Sequence, residues 1–251
     1  MEYPHYVTVD KEGRVLVSDS AGPYVYVYDE EGEFLFKFGG WGEGEGQLNR
    51  PHGICTDSLG RIFVADSGND RVDMFDSSGE FLSHAIPDIK QPLAVAITRR
   101  GNLIVSNIVE NGNSVVHVFK PNGKLLRTIG DQQGMEYPHY VTVDKEGRVL
   151  VSDSAGPYVY VYDEEGEFLF KFGGWGEGEG QLNRPHGICT DSLGRILVAD
   201  SGNDRVDMFD SSGEFLSHAI PDIKQPLAVA ITRRGNLVVS NSENVVTVYH
   251  N

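Results

Sequence analysis

Four histidines are the residues of this chain whose type and spacing come closest to a metal site. Each of them directly follows a proline: His5, His52, His139 and His186. Neutral imidazole is a common ligand of transition metals. Two comparable prolines are followed by Leu93 and Leu227 instead, whereas such a site would need inward carboxylates or further histidines at the same depth. The sequence therefore predicts solvated histidines, with no metal ion and no cofactor.

Covalent or acid-base catalysis is not indicated. Serines stand in turn sequences such as DSSGE and VSDSAG, where hydroxyls satisfy backbone groups. Neither a nucleophile elbow nor a His-Glu-x-x-His motif occurs. Paired acids such as Glu30 and Glu31 are typical of exposed turns. The sequence predicts a protein that is not an enzyme and has no catalytic residues.

The glycine-rich stretch GGWGEGEG, residues 39–46, superficially suggests a phosphate-binding loop. It contains no G-x-G-x-x-G frame and no Gly-Lys-Ser, and its glutamates would repel phosphate. We expect a flexible linker between structural repeats.

Net charge and cysteine content restrict the class of protein. The 251 residues include 37 acidic and 21 basic side chains, for a net charge of -16. Such a chain repels phosphate backbones unless it carries a local basic patch. No apolar run approaches the roughly 20 residues that cross a bilayer, the start MEYPHYVTVDKEG lacks a signal-peptide pattern, and two cysteines make no disulfide framework. These features predict a cytoplasmic location.

The chain repeats itself almost perfectly. Residues 1–107 return as residues 135–241 with two changes, Phe63 to Leu197 and Ile104 to Val238. Identity at exposed positions exceeds what folding requires, because such positions tolerate most changes within about 0.5 kcal/mol. We expect a very recent duplication or an engineered tandem. We favour engineering, because Met1 corresponds to Met135 in mid-chain.

Prolines that precede apolar runs divide each half again. Spacings of 47, 41, 46, 47 and 41 residues separate Pro4, Pro51, Pro92, Pro138, Pro185 and Pro226. A period in the forties, filled with short alternating segments, is typical of β-propeller blades. We predict an all-β fold: one six-bladed β-propeller over residues 1–251, with blades one to three in residues 1–134 and blades four to six in residues 135–251.

Each unit reads as four antiparallel strands. In the second unit GICTD, RIFVAD, RVDMFD and EFLSHAI predict the strands, and SGND predicts the middle connection. No segment keeps a 3.6-residue apolar period, so almost no helix is expected. Glycines that fit turn positions with positive φ are Gly13, Gly32, Gly60, Gly79, Gly101 and Gly123.

The last unit is shorter than its copy. Blade three continues through VVHVFK, PNG and KLLRTIG, whereas the second half ends at VVTVYHN. We predict that blade six lacks its outer strand and that residues 245–249 form an exposed edge able to pair with another chain. A strict monomer in gel filtration at high concentration would contradict such self-association.

The stretch RPHGICTDSLGRIFVADSGNDRVDMFDSSGEFL, residues 50–82, resembles the NHL repeat. The link GEFLFKFGGWGEGEGQLNRP, residues 32–51, is similar to the link between blades in tripartite-motif (TRIM-NHL) proteins. The resemblance implies a contact between Asp66 and Arg71, and between their copies Asp200 and Arg205. Blades one and three depart from the pattern, since SAGPY replaces the usual Asn and Arg after Asp19, and Asn107 replaces the aspartate.

Similarity to TRIM-NHL proteins implies a recognition platform for protein or RNA. The RING, B-box and coiled-coil parts that give those proteins ligase activity are not present in this sequence. The face that carries the links between blades would bind the partner, and arginine and aromatic side chains are the usual anchors. The candidate residues are Tyr3, His5, Arg50, His52, Arg71, Tyr137, His139, Arg184, His186 and Arg205. The alternative is that the arginines of the Asp-Arg contacts are structural and the tyrosines pack beneath loops.

Two functions remain open. The first is a protein-binding or peptide-binding scaffold, and the second is RNA recognition by stacking and phosphate contacts on the same face. The acidic charge disfavours RNA, because counterion release would be weak. We expect a protein or peptide partner and no membrane.

Overall fold

The computed structural model describes residues 1–107, 115–130 and 132–250. In the first half the strands are β1 Pro4–Val9, β2 Val15–Asp19, β3 Tyr24–Tyr28, β4 Phe34–Gly39, β5 Pro51–Thr56, β6 Ile62–Asp66, β7 Arg71–Phe75, β8 Phe81–Ile86, β9 Pro92–Ile97, β10 Leu103–Asn107, β11 Val115–Phe119 and β12 Leu125–Ile129. In the second half they are β13 Pro138–Val143, β14 Val149–Asp153, β15 Tyr158–Tyr162, β16 Phe168–Gly173, β17 Pro185–Thr190, β18 Ile196–Asp200, β19 Arg205–Phe209, β20 Phe215–Ile220, β21 Pro226–Ile231, β22 Leu237–Asn241 and β23 Val246–Tyr249.

The strands form six antiparallel sheets, and each sheet is one blade. The order within every blade follows the chain, from β1-β2-β3-β4 in blade one to β21-β22-β23 in blade six. The first strands of neighbouring blades contact one another, from β1 with β5 around to β21 with β1. The ring is therefore closed, and the predicted six-bladed propeller is confirmed.

Apolar side chains between blades hold the ring together. The second strands are buried on both faces, as in β2, where Leu16 and Val17 have no exposed surface. The outer strands are buried only near one end: in β4 Phe38 is buried while Phe34 is 55% exposed. Burial of apolar surface contributes roughly 25 cal/mol per Å². A single blade would leave both of its faces exposed to water. The stabilisation from apolar burial is therefore gained only when the blades stack.

Turn glycines match the sequence prediction. All six glycines expected to have positive φ do so, with values between 77° for Gly123 and 89° for Gly32. The SGND connection differs slightly from the expectation, because Ser67–Asn69 and Ser201–Asn203 form single 3-10 turns. Each turn ends at an aspartate in the left-handed region, Asp70 or Asp204, a conformation that aspartate tolerates better than most residues. Within the described residues, no helix is long and apolar enough to cross a membrane.

The glycine-rich linker is more ordered than its composition predicts. Trp41 pairs with Leu48 as an isolated bridge, and Leu48 has no exposed surface. Backbone carbonyls of Glu43 and Gln47 accept hydrogen bonds from Arg71. The expectation of a flexible linker is therefore corrected: an arginine from the following blade binds its backbone.

Blade six has three strands among the described residues, as predicted. Its edge strand β23 is only partly buried, whereas β11, the corresponding strand of blade three, is paired with β12. Among the described residues, the two nearly identical halves thus differ in strand pairing at this junction.

Candidate functional site

The six inner strands begin at one end of the axis, and this places the four histidines together. His5 and His139 start from opposite sides of the ring, yet their ring centroids are only 5.0 Å apart. His52 lies 5.0 Å from His5, and His186 lies 5.2 Å from His139. One ligand nitrogen from each of His5, His52 and His139 falls within 4.8 Å of the others. We call these four residues the axial histidine cluster.

The axial histidine cluster is buried and poorly satisfied. The Nδ1 atom of each of its four rings is buried without a hydrogen-bond partner. Burial, followed by repulsion from neighbouring histidines, holds the pKa of His5 and His139 well below the usual value. Burial and the nearby arginines lower the pKa of His52 and His186 to about 4. At neutral pH the four imidazoles are therefore uncharged.

Two tyrosines form the floor beneath the cluster. Tyr6 and Tyr140 stack across the axis with ring centroids 4.3 Å apart and an interplanar angle of 16°. The Tyr140 hydroxyl donates to the backbone carbonyl of His5 at 2.7 Å. The Tyr6 hydroxyl is buried without such an acceptor. Two identical residues in duplicated halves therefore have different bonding.

This asymmetry predicts different effects of one substitution in the two halves. Tyr140→Phe should lower the free energy of unfolding by about 1–2 kcal/mol, because it leaves the His5 carbonyl without its donor. Tyr6→Phe should change it by less than about 0.5 kcal/mol, since it removes a hydroxyl that has no acceptor. Urea unfolding of both variants measures the difference. Equal losses would show that the two hydroxyls are equivalent.

Arg50 and Arg184 lie at the rim of the same opening. Both are exposed, and both adopt positive φ, 54°, directly before a proline. A bulky residue held in the left-handed region costs of the order of 1 kcal/mol, and such strain is often found at functional sites. Tyr3 stacks on His5 with centroids 5.4 Å apart and is 36% exposed. Tyr137, its copy, contacts His139 edge to face at 5.2 Å.

Arg71 has a different environment from the other candidate residues. Its Nε atom lies 3.1 Å from Asp66 and 3.0 Å from Asp73, whose side chains have no exposed surface. Its remaining nitrogens donate to linker carbonyls of Glu43, Gly44 and Gln47. Arg205 repeats these contacts with Asp200 and Asp207 at 3.2 and 3.0 Å. Both guanidinium groups are therefore bound within the chain, and the predicted Asp-Arg contacts are present.

In blades one and three, side chains other than arginine form the hydrogen bonds to the neighbouring loops. Asp19 accepts hydrogen bonds from the backbone amides of Glu2 and Tyr3 at 2.8 Å each. In blade three the Asn107 side chain donates to the Lys90 carbonyl at 3.2 Å. The Asp19 carboxylate thus fixes the start of blade one, and this positions Tyr3 beside the axis.

The opposite end of the axis is a channel with a volume of about 250 Å³. Its lining includes Thr56, Thr190 and both cysteines. Cys55 and Cys189 are free and partly buried, and burial raises the pKa of their thiols. They are therefore protonated at neutral pH and poor nucleophiles.

Two functional elements were missed by sequence reasoning. One is the tyrosine floor, although Tyr6 and Tyr140 directly follow the histidines in sequence. The other is the pairing of His84 with Asp73 at 2.6 Å, repeated by His218 with Asp207. Period-two alternation places Asp73 on one face of β7, but no local signal indicates which residue of β8 it meets.

Fold and site together define the class: a six-bladed β-propeller with a histidine-lined axis. Solved structures with this fold include a gluconolactonase from Xanthomonas campestris, at TM-score 0.73 and 17% identity over 96% of this chain and 83% of that chain. A streptogramin B lyase matches at TM-score 0.70 and 14% identity, over 100% and 83%. A virginiamycin B lyase from Staphylococcus aureus matches at TM-score 0.67 and 16% identity, over 100% and 85%. Identities this low show the shared fold alone.

Two segments match the NHL repeat family, residues 48–72 and 182–206. They contain the Asp66-Arg71 contact and its copy. The protein brain tumor of Drosophila melanogaster is 29% identical over 171 residues, which is 68% of this chain and 12% of that protein. The chain therefore spans only a small part of this relative. It is a β-propeller with two segments that are similar to the NHL repeat.

Proposed function

We propose that this propeller is a non-enzymatic binding and scaffold module of TRIM-NHL type, which recognises a protein or peptide on the face around the axial histidine cluster. The observation that carries the proposal is the pair Arg50 and Arg184, exposed and held at φ 54° on opposite sides of one opening. A guanidinium in that position suits a carboxylate of the ligand. Tyr3 and Tyr137 supply adjacent aromatic surface.

The remaining candidate residues act less directly in this proposal. Arg71 and Arg205 hold the glycine-rich linkers that frame the face, and the histidines form its base. Catalysis is not part of the proposed role, in contrast to the lyase and gluconolactonase propellers that share the fold. The NHL repeat segments and the similarity to the brain tumor protein support the TRIM-NHL resemblance on which this role rests. Free thiols at Cys55 and Cys189 fit a cytoplasmic location.

The near-identity of the halves supports an origin in a duplicated or engineered three-blade piece. Duplication gives the face an approximate twofold axis, with Arg50 related to Arg184. We propose that any ligand binds in two equivalent positions or sits across the axis.

A selection experiment tests the proposed function. The intact chain is used to select ligands from a random peptide library and, in parallel, from an RNA pool. The affinity of the selected ligand is then measured for a variant with both Arg50→Ala and Arg184→Ala. We expect a peptide whose affinity falls at least about tenfold in the variant, as for a lost charge-assisted contact.

The matched control replaces Arg100 and Arg234 by alanine. These arginines are also exposed copies of each other, at 67% and 66%, but they pair with Glu164 and Glu30. Peptide affinity should be unchanged in the control. Unchanged affinity in the rim variant would contradict the proposed face, and enrichment of RNA alone would favour RNA recognition.

A further inference from the structure

The axial histidine cluster has features that partner binding does not explain. Four imidazoles meet on one axis, and each Nδ1 atom is buried without a hydrogen-bond partner. Buried polar atoms are almost always satisfied in folded proteins. Four related exceptions in one cluster point to a ligand that accepts lone pairs. A cation with affinity for nitrogen is such a ligand.

The distances between the histidine nitrogens are compatible with metal coordination if the rings move slightly closer together. Ligand nitrogens of His5, His52 and His139 lie within 4.8 Å of one another. Around a tetrahedral zinc ion with bonds of about 2.1 Å the nitrogens would be roughly 3.4 Å apart. Each ring would therefore move on the order of 1 Å, which a change of side-chain torsion provides. The neighbours of these rings are mainly other aromatic rings, so no strong bond opposes the movement.

The donor set selects the type of metal. Imidazole nitrogen suits Zn²⁺, Cu²⁺, Ni²⁺ and Co²⁺, whereas Mg²⁺ and Ca²⁺ require oxygen. The positive charges of Arg50 and Arg184 at the rim would weaken the binding of a bare cation. They would favour an anion as an additional ligand of the metal.

We propose that His5, His52 and His139 form a binding site for one divalent transition-metal ion at the axis of the propeller. The site combines residues from both halves, so it exists only in the closed ring. Blades three and six place Leu93 and Leu227 at the corresponding positions, buried at 5% each.

Zinc titration of the intact, chelator-treated protein tests the metal site. Isothermal titration with ZnCl₂ and native mass spectrometry should show one ion per chain, and the melting temperature should rise with zinc concentration. The visible spectrum of the Co²⁺ complex should report nitrogen coordination. The test variant carries His5→Leu and His139→Leu, because leucine is already accommodated at this position in blades three and six. Its zinc affinity should fall at least about 100-fold.

His117→Leu is the control, because His117 lies on β11 and bonds Thr128 at 2.9 Å, away from the axis. It should bind zinc as the unchanged protein does. Melting of both variants in chelator checks that they fold. Failure of the unchanged protein to bind zinc, or undiminished binding by the double variant, would overturn the metal site.

A second inference rests on different residues, at the outer edge of blade six. At four junctions the end of one blade's outer strand lies against the third-strand turn glycine of the next blade. A Cβ built on Gly79 would meet Phe38 at 2.7 Å, one on Gly166 would meet Ile129 at 2.6 Å, and one on Gly213 would meet Phe172 at 2.7 Å. On Gly123 it would meet the Ala85 carbonyl at 2.6 Å. Gly32, which faces blade six, has nothing within 4 Å.

Residues near Gly32 confirm that a strand position is open. Tyr28 is partly exposed, whereas its copy Tyr162 is 1% exposed. Met1 is 40% exposed and Met135 is 7% exposed. A cavity of about 120 Å³ lies here between blade six and blade one, lined by Met1, Val15, Tyr28, Val246 and Val248. We call it the blade-six groove.

The equivalent position in blade three shows what the blade-six groove fits. There β12 pairs with β11, with Ile129 opposite Val116 and Arg127 opposite Val118. Val116 and Val118 correspond to Val246 and Val248 through their partners in the preceding strand. The segment KLLRTIG carries two positive charges, which suits a chain of net charge -16.

We propose that the blade-six groove binds an extended basic peptide with the residue pattern of β12, as a fourth strand antiparallel to β23. Main-chain hydrogen bonds to β23 would supply affinity, and an isoleucine in the position of Ile129 would fill the space above Gly32.

A labelled peptide with the sequence of residues 121–130, PNGKLLRTIG, tests the groove against the intact chain. We expect saturable binding by fluorescence anisotropy and slower hydrogen exchange of the β23 amides. The same peptide with Ile129→Asp should bind about tenfold more weakly or less, because burial of the isoleucine is lost. Equal binding of both peptides, or none, would overturn the proposal. Dimerisation through β23 that excludes the peptide would also overturn it and would assign the edge to a second copy of the chain.

Discussion

Arg71→Ala is expected to lower the free energy of unfolding by about 3–5 kcal/mol, the range observed when one partner of a buried ion pair is removed. The guanidinium is the cation shared by Asp66 and Asp73, which are fully buried. It also satisfies linker carbonyls that would lose their donor. The loss therefore combines two uncompensated carboxylates with a detached linker. Urea unfolding followed by fluorescence measures it, and Arg205→Ala should behave alike.

The loss of stability in the Arg71→Ala variant should grow with pH. Burial raises the pKa of Asp66 to about 6, above its unfolded value of 3.8. A carboxyl with a raised folded pKa makes the folded state relatively more stable at low pH, and this contribution disappears as pH rises through the folded pKa. Without Arg71 the pKa of Asp66 rises further, so the variant loses stability over a higher pH range. The difference from the unchanged protein should therefore be larger at pH 8 than at pH 5.

Arg61→Ala is the matched control within the same blade. Arg61 pairs with Asp57 at 2.6 Å, but its side chain is 39% exposed. A surface pair of this kind contributes about 0–1 kcal/mol. If both arginine variants lost the same stability, burial of the Arg71 network would not be the cause.

Gly53→Ala is expected to destabilise the propeller by about 3 kcal/mol, at the upper end of overpacking costs. A Cβ on Gly53 would lie 2.6 Å from the Ala94 Cα and 2.8 Å from the Leu93 carbonyl. These are backbone atoms of the neighbouring inner strand, so only a shift of a whole blade could relieve the clash. The copy, Gly187, has the same environment at 2.5 Å from the Ala228 Cα. Thermal and urea unfolding should show equal losses in both halves.

Gly44→Ala is the control for the glycine prediction. Its Cβ would meet the side-chain oxygen of Gln47 at 2.9 Å. This is the far end of a flexible side chain, which can move away with the loss of one exposed hydrogen bond from the Gly44 amide. We expect a change within about 1 kcal/mol, of either sign, because alanine also restricts the unfolded chain. A loss as large as that of Gly53→Ala would point to a backbone effect rather than to crowding of the inner strands.

The blade count was predictable because proline spacing and period-two alternation are local. The strands of the second unit lie within two residues of their predicted bounds, from β5 Pro51–Thr56 to β8 Phe81–Ile86. The three-stranded pairing of blade six among the described residues was also predictable, since VVTVYHN can be compared directly with its longer copy. These features depend only on sequence order and on turn chemistry.

The close approach of the four residues in the axial histidine cluster was harder to predict from the sequence. Sequence reasoning placed four histidines around an opening, but their separation depends on how far the inner strands tilt toward the axis. Solvated imidazoles were expected, whereas His5, His139 and His186 are buried. The Tyr6 and Tyr140 stack closes the axis beneath them, and that closure arises only when two distant segments pack together. No local pattern encodes such a contact.

The near-identity of the two halves also affects how the molecule assembles. A strand or a whole blade of one chain can take the place of its copy in another chain, because the surfaces that receive it are almost the same. Such exchange joins chains into domain-swapped oligomers and competes with correct ring closure within one molecule. The yield of refolded monomer is therefore expected to fall as the protein concentration during refolding rises.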